Sequence, residues 1–151
     1  MVLVSAQHVF IEVALDTKTS ALQFLAESAR KLQLTTDSSA VLTSFNDREK
    51  EGSTGMMDGF AIPHAKNPTI KEASVLIVKA KKPIEWDSLD GQLTEVIIAL
   101  LIPEHEAGTI HLKLLSKVAR LLMKTEFKQQ LKHLESSAEI ATYVNQQLIE
   151  E

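Results

Sequence analysis

Histidine, arginine and glycine carry the chemistry this chain can offer, because it contains no cysteine. That excludes disulfides, thiolate zinc ligands and a cysteine nucleophile. Histidine stands at positions 8, 64, 105, 111 and 133. His64 closes the apolar run Phe60 to Pro63 in "DGFAIPHAK". Proline fixes its own φ and pushes the preceding residue toward an extended conformation, so the backbone entering His64 is stiff. Just upstream, "EGSTGMMDG" places Gly52, Gly55 and Gly59 within nine residues. Such a loop lets main-chain N–H groups approach an anion closely. A functional imidazole beside an anion site is one reading; a histidine bonded into the core is the other, and the residues alone leave both open.

Two further side chains have the same double reading. His111 lies in the first turn of a helix, on the stripe of Leu115, Val118 and Leu122. By itself it reads first as a partly buried histidine bonded to a backbone carbonyl. The functional alternative uses the helix start, where free N–H groups and the dipole favour an anion. Arg48, near the end of a helix and on the face of Val41 and Phe45, either complements the helix C-terminus or forks onto phosphate oxygens. His8 and His133 sit among polar neighbours and read as surface residues, as does His105 between Glu104 and Glu106. His105 and His111 are six apart, which fits neither a His-x-x-x-His pair nor a fingered site, so no metal or other cofactor is expected.

The elements that must position these groups follow from periodicity. "HVFIEVAL", His8 to Leu15, reads as a first strand. Leu22, Leu25, Ala29 and Leu32 form a helical stripe after Thr17, and Asp37 or Ser38 caps a second helix with Val41, Leu42 and Phe45 inward. "FAIP" and Ala73 to Ala80 read as strands. "KKPIEWDSLDGQ" holds a turn at Ser88 to Gly91. Val96 to Ile102 is apolar on both faces, as a central covered strand should be. "EHEAG" is a loop, Thr109 to Lys124 a helix, "EFKQQLKHL" a short helix, and Ser136-x-x-Glu139 opens a last one. Strands mixed with helices predict an α/β fold: a single three-layer domain over residues 1–151, its mixed sheet flanked by helices on both faces.

Composition agrees. At 151 residues, 44% apolar and 24% charged, the chain can bury a substantial core. Its net charge of −4 weighs against a nucleic-acid partner. The longest apolar run, Val96 to Ile102, is far short of the roughly 18 residues of a membrane helix. The start lacks the basic region of a signal peptide, so a cytoplasmic chain without membrane insertion is expected.

"REKEGSTGMMDGFAIPHAK" (Arg48 to Lys66), "IEWDSLDG" (Ile84 to Gly91) and "HLKLLSKVARLLMKTEF" (His111 to Phe127) together resemble an EIIA domain of the bacterial sugar phosphotransferase system, type 2, the fructose/mannitol class. The resemblance covers nearly the whole chain in the family's order, and "WDSLDG" points toward the fructose branch. Family members usually carry glycine after the phosphorylated histidine, where this chain has Ala65, and a loop richer in small residues than Met56 to Asp58.

The resemblance implies a phosphoryl relay. The carrier HPr, phosphorylated on histidine, would donate to His64, which would pass the group to a cysteine of a IIB partner and so, indirectly, to sugar at the membrane component IIC. It places the second histidine and the arginine of the site on His111 and Arg48, which would stabilise charge on the transferring group. His64 would attack through Nε2 as a neutral imidazole, the dominant form at neutral pH for an ordinary value of ~6.5. No magnesium is needed if the donor is already phosphohistidine. The imidazole is expected at the surface, on a face that meets HPr and IIB in turn. Met56, Met57 and Phe60 either furnish that face or pad the core. The alternatives are a regulatory, nitrogen-type IIA that signals by phosphorylation-dependent binding, and a non-catalytic interaction module.

Overall fold

The computed structural model describes residues 4–106 and 112–149. Along the chain run β1 (Val9–Val13), α1 (Lys18–Lys31), α2 (Ser38–Lys50), β2 (Phe60–Ala61), β3 (His64–Asn67), β4 (Ser74–Ile84), β5 (Thr94–Pro103), α3 (Leu112–Leu121), α4 (Thr125–His133) and α5 (Ser137–Ile149). Short 3-10 turns occupy Ala6–His8 and Glu104–Glu106.

The helix starts are set by side chains that accept otherwise orphaned N–H groups. Thr17 and Ser20 form a reciprocal capping box on α1, with N–H to hydroxyl distances of 3.0 and 2.9 Å. Asp37 accepts from the Ala40 amide at 3.1 Å on α2, and Ser136 from the Glu139 amide at 3.3 Å on α5.

The sheet order is β1-β4-β5, with β2 and β3 succeeding one another along the outer edge of β5. β1 is parallel to β4, β4 antiparallel to β5, and β2 and β3 parallel to β5. β5 is the central strand, and all its residues from Val96 to Ile102 are at most 2% exposed. Its side chains alternate between two cores. Val96, Ile98, Leu100 and Ile102 pack under α3, α4 and α5; Ile97, Ala99 and Leu101 pack under α1 and α2. The mixed sheet between two helical layers is thus as expected, because a strand apolar on both faces must be covered on both.

The readings of three strands differ, as does that of His8. β3 was not legible as a strand: "HAKN" has no apolar alternation, and it is extended because it pairs with β5. β4 runs on to Ile84 through the exposed Lys81, Lys82 and Pro83, with a break in register between Lys79 and Ile84. β1 is shorter than His8 to Leu15, with a register shift and Glu12 in the left-handed region (φ 51°). The "EHEAG" loop begins with the Glu104–Glu106 turn; its remainder lies outside the described residues. His8 is half-buried rather than a surface residue, while His105 and His133 are exposed. Among the described residues no helix is long and apolar enough to cross a membrane.

Candidate functional site

His64 opens β3 directly beside Leu100 of β5. Neighbours in register point to the same face of a sheet, so the imidazole shares Leu100's side, toward the layer of α3 to α5. Its neighbour Ala65 points the other way, fully buried in the core of α1 and α2. The methyl group that departs from the family's usual glycine therefore fills core space. His64 is only 6% exposed. The expectation of an imidazole standing at the surface is corrected: pairing with β5 turns the ring onto the face of the sheet, and the site is recessed.

The glycine loop folds back on the strand that leads to His64. The Ile62 amide donates to the Thr54 carbonyl at 3.0 Å and the Met56 amide to the Phe60 carbonyl at 2.7 Å, with Gly55 bridged to Ala61. Asp58 (φ 59°) and Gly59 (φ 84°) make the reversal in left-handed conformations, which aspartate and glycine tolerate. On the far side of Pro63, its carbonyl accepts from the Leu100 amide at 2.9 Å.

The 87–91 turn of "WDSLDG" is the back wall of this loop. Asp90 accepts from the Asp58 amide at 2.9 Å and the Gln92 amide at 3.1 Å, the Leu89 amide donates to the Met56 carbonyl at 3.3 Å, and the Ser53 hydroxyl donates to the Asp87 carbonyl. The Asp58 carboxylate meets Lys128 of α4. The motif thus has a structural task, holding the glycine loop in place.

Donation from the Asp58 amide, and then from Gln92, holds the Asp90 carboxyl below the usual aspartate range. Because the folded-state value is depressed, the clamp is fully present above the ordinary ~3.9 and is lost as pH falls through the lower folded value. Asp90→Ala is therefore expected to unfold at lower urea concentration than the parent at neutral pH. The difference between the two midpoints should shrink on acidification, and a constant difference would count against the clamp.

Arg48 stands near the end of α2, in the other layer. Ser44 of α2 donates to the Lys66 carbonyl at 3.2 Å, and Asn67 donates to Ser44 at 3.0 Å and to the Ala40 carbonyl at 3.4 Å. One helical turn beyond Ser44, about 6 Å, is Arg48; two residues back along β3 from Lys66, about 6.6 Å, is His64. α2 therefore runs antiparallel beside β3, and its Arg48 end lies toward the start of β3, in the layer opposite the one the imidazole faces. The Nη1 of Arg48 donates to the Gly52 carbonyl at 2.8 Å, engaging one of several guanidinium donors and tying the helix end to the loop. His111 lies outside the described residues; the described part of α3 begins one residue later, in the layer that His64 faces.

Of the three apolar residues beside the loop, Phe60 is fully buried in the core under α3 to α5, with the Lys132 ammonium 5.7 Å from its ring. It is core and not docking surface. Met56 is partly buried against the same core. Met57 is half-exposed, and Leu89 and Leu93 are exposed as well.

Sequence reasoning missed Glu49. Its side chain is 6% exposed and receives Lys18 Nζ at 2.9 Å, the Thr54 amide at 3.3 Å and the Thr54 hydroxyl. A signal was present: Val41, Phe45 and Glu49 succeed one another at i+4 spacing, so the buried stripe of α2 continues onto a carboxylate.

The chain matches the family described as "Phosphoenolpyruvate-dependent sugar phosphotransferase system, EIIA 2" over residues 2–147. It is 35% identical over 130 residues to a nitrogen regulatory protein of Bradyrhizobium diazoefficiens, covering 86% of this chain and 84% of that one. It is 34% identical over 110 residues to the fructose-specific EIIABC component of Bacillus subtilis, covering 73% of this chain but only 17% of that longer protein. The crystal structure of the nitrogen regulatory protein IIA-Ntr of Neisseria meningitidis superposes with a TM-score of 0.84 at 26% identity, over 97% of this chain and 96% of the other. With the three-layer fold already in hand, the chain belongs to the EIIA 2 family of the phosphoenolpyruvate-dependent sugar phosphotransferase system.

Proposed function

We propose that this chain is a cytoplasmic phosphoryl carrier, one EIIA domain over residues 1–151, with His64 as the residue that bears the phosphoryl group. The reading is supported by the stiff Ile62-Pro63 lead into His64 and the glycine loop folded against it, with Arg48 tied to that loop through the Gly52 carbonyl. The donor is HPr phosphorylated on histidine. The Nε2 lone pair of neutral His64 forms the new N–P bond as the donor's N–P bond breaks, and the donor imidazole leaves with that electron pair. Each ring keeps the proton on its other nitrogen, so no separate base is needed. The transferring group passes through a loose, metaphosphate-like state with charge on its equatorial oxygens. Arg48, His111 and the loop amides are assigned to that charge. In the next step a cysteine thiolate of a IIB partner attacks phosphorus, the S–P bond forms, and His64 is released neutral. IIC enters only after IIB.

Incubation with phosphorylated HPr, and separately with phosphoramidate as a small donor independent of protein fit, should leave one acid-labile, alkali-stable phosphate, mapped to His64 by mass spectrometry. No label from either donor would overturn the reading.

A second reading concerns the use made of the phosphorylated state. The likeness to nitrogen regulatory proteins in both sequence and structure favours a regulatory role, in which the phosphorylated and free forms bind a target differently. The likeness to the fructose-specific EIIABC component of Bacillus subtilis, which covers only 17% of that longer protein, speaks for fructose uptake. Rapid discharge to a fructose-class IIB cysteine would restore the transport reading.

A further inference from the structure

Glu49 is a withdrawn carboxylate to which phosphoryl transfer as described assigns no part. Burying a carboxylate is costly unless it is paired with an opposite charge and both oxygens are hydrogen-bonded. Lys18, at the start of α1, supplies the charge at 2.9 Å, and its ammonium lies 5.6 Å from the Trp86 ring, just ahead of the turn that backs the loop. The remaining partners both belong to Thr54, which is itself buried: its amide reaches one carboxylate oxygen and its hydroxyl the other.

Thr54 in turn holds the lead into His64. Its carbonyl accepts the Ile62 amide at 3.0 Å. Pro63 has no N–H, so that bond is the last main-chain donor contact before the histidine. The carbonyl of Pro63 is held at 2.9 Å by Leu100 on β5. Two bonds on opposite sides of one stiff dipeptide set the direction in which β3 begins, and with it the Cα–Cβ vector of His64. One bond is anchored in the sheet. The other is anchored, through Thr54, on Glu49.

We propose that Glu49 is a positioning residue for phosphoryl transfer: through Thr54 and Ile62 it sets the direction in which the His64 imidazole meets phosphorus, with Lys18 as its ion-pair partner. This rests on the reading of His64 as the acceptor. The leverage is sufficient in magnitude, because a displacement of about 1 Å in an in-line reaction lowers the rate about a hundredfold.

The test compares Thr54→Val, which removes the hydroxyl while keeping shape, with Thr54→Ser, which keeps it, and with Glu49→Gln, which keeps shape and loses charge. For transfer from phosphorylated HPr, Thr54→Val should lower kcat about tenfold to a hundredfold with KM within about twofold, and Thr54→Ser should recover kcat to within about threefold. Glu49→Gln should fall in the same direction, and it stands in for Thr54→Val if that variant does not fold. In imidazole nitrogen NMR the His64 resonances should move in Thr54→Val and Glu49→Gln, while those of His105 and His133 stay. A lowered melting temperature with wild-type kcat per folded molecule would reduce Glu49 to a structural role and overturn the proposal. The two ideas fail distinguishably: an unlabelled wild type sinks the carrier reading and the transfer role with it, whereas a labelled wild type with unmoved His64 resonances in both variants sinks the positioning role alone.

Discussion

His64→Ala is expected to take up no phosphoryl group, and Arg48→Ala to take it up about 10²–10³-fold more slowly than the parent. The two effects differ in kind. His64 supplies the lone pair that forms the N–P bond, and without it there is no covalent product. His105 and His133 are exposed on other elements, and His8 sits on a 3-10 turn ahead of β1, so none shares the stiff lead and glycine loop of His64. Arg48 acts on charge that grows only as the phosphoryl group separates from its donor. Loss of one such donor raises the barrier by about 3–4 kcal/mol, and Arg48→Lys should recover little, because an ammonium lacks the planar fork that spans two oxygens. Arg48 also donates to the Gly52 carbonyl, so circular dichroism must accompany the rate. A rate for Arg48→Ala within about threefold of the parent, with a normal spectrum, would remove the guanidinium from the transition state. Label persisting on His64→Ala would remove His64 from its role.

Gly55→Ala is expected to damage both stability and transfer. A Cβ at this position would collide with the Asp87 carbonyl oxygen and lie 3.0 Å from its carbon and 3.1 Å from the Ser88 Cα. These are backbone atoms, and no rotamer can move them aside. Either the loop or the 87–91 turn must shift, although the two are held together by Ser53 on Asp87, Leu89 on Met56 and Asp58 on Asp90. Overpacking of this kind destabilises by about 1–3 kcal/mol, equivalent to roughly 2–12 °C in Tm at this size. Because Gly55 is bridged to Ala61, the shift is transmitted to the lead into His64, and transfer should slow beyond what the lost folded fraction explains. Gly52→Ala is the control. At Gly52 nothing lies within 4 Å of the added Cβ, so only its φ of 146° is strained. Equal melting temperatures for the two variants would show that Gly55 is not pinned against the turn.

Much of the architecture was legible because it depends on short-range patterns. Val96 to Ile102, apolar on successive residues, is the doubly covered β5; Asp37 and Ser136 accept the N–H groups their positions implied. The stiffness before His64 was readable because Pro63 imposes it from within the chain. Features that could not be read involve atoms from distant segments. β3 has no strand pattern of its own and is extended because β5 offers it an edge. Phe60, apolar and next to a loop, fitted a docking face as well as a core until α4 was laid over it.

The sequence by itself determined the candidate histidine, the brace in front of it, the alternation of elements and hence the three layers, since residue type and periodicity are local properties of the chain. Only the tertiary structure decided that the imidazole is recessed, that Arg48 ties the end of α2 to the glycine loop, and that Glu49 and the 87–91 turn grip the loop from two sides. Those outcomes depend on which backbone and side-chain groups remain to be satisfied once the sheet has closed, and that is settled by pairing across the fold and not by neighbours in sequence.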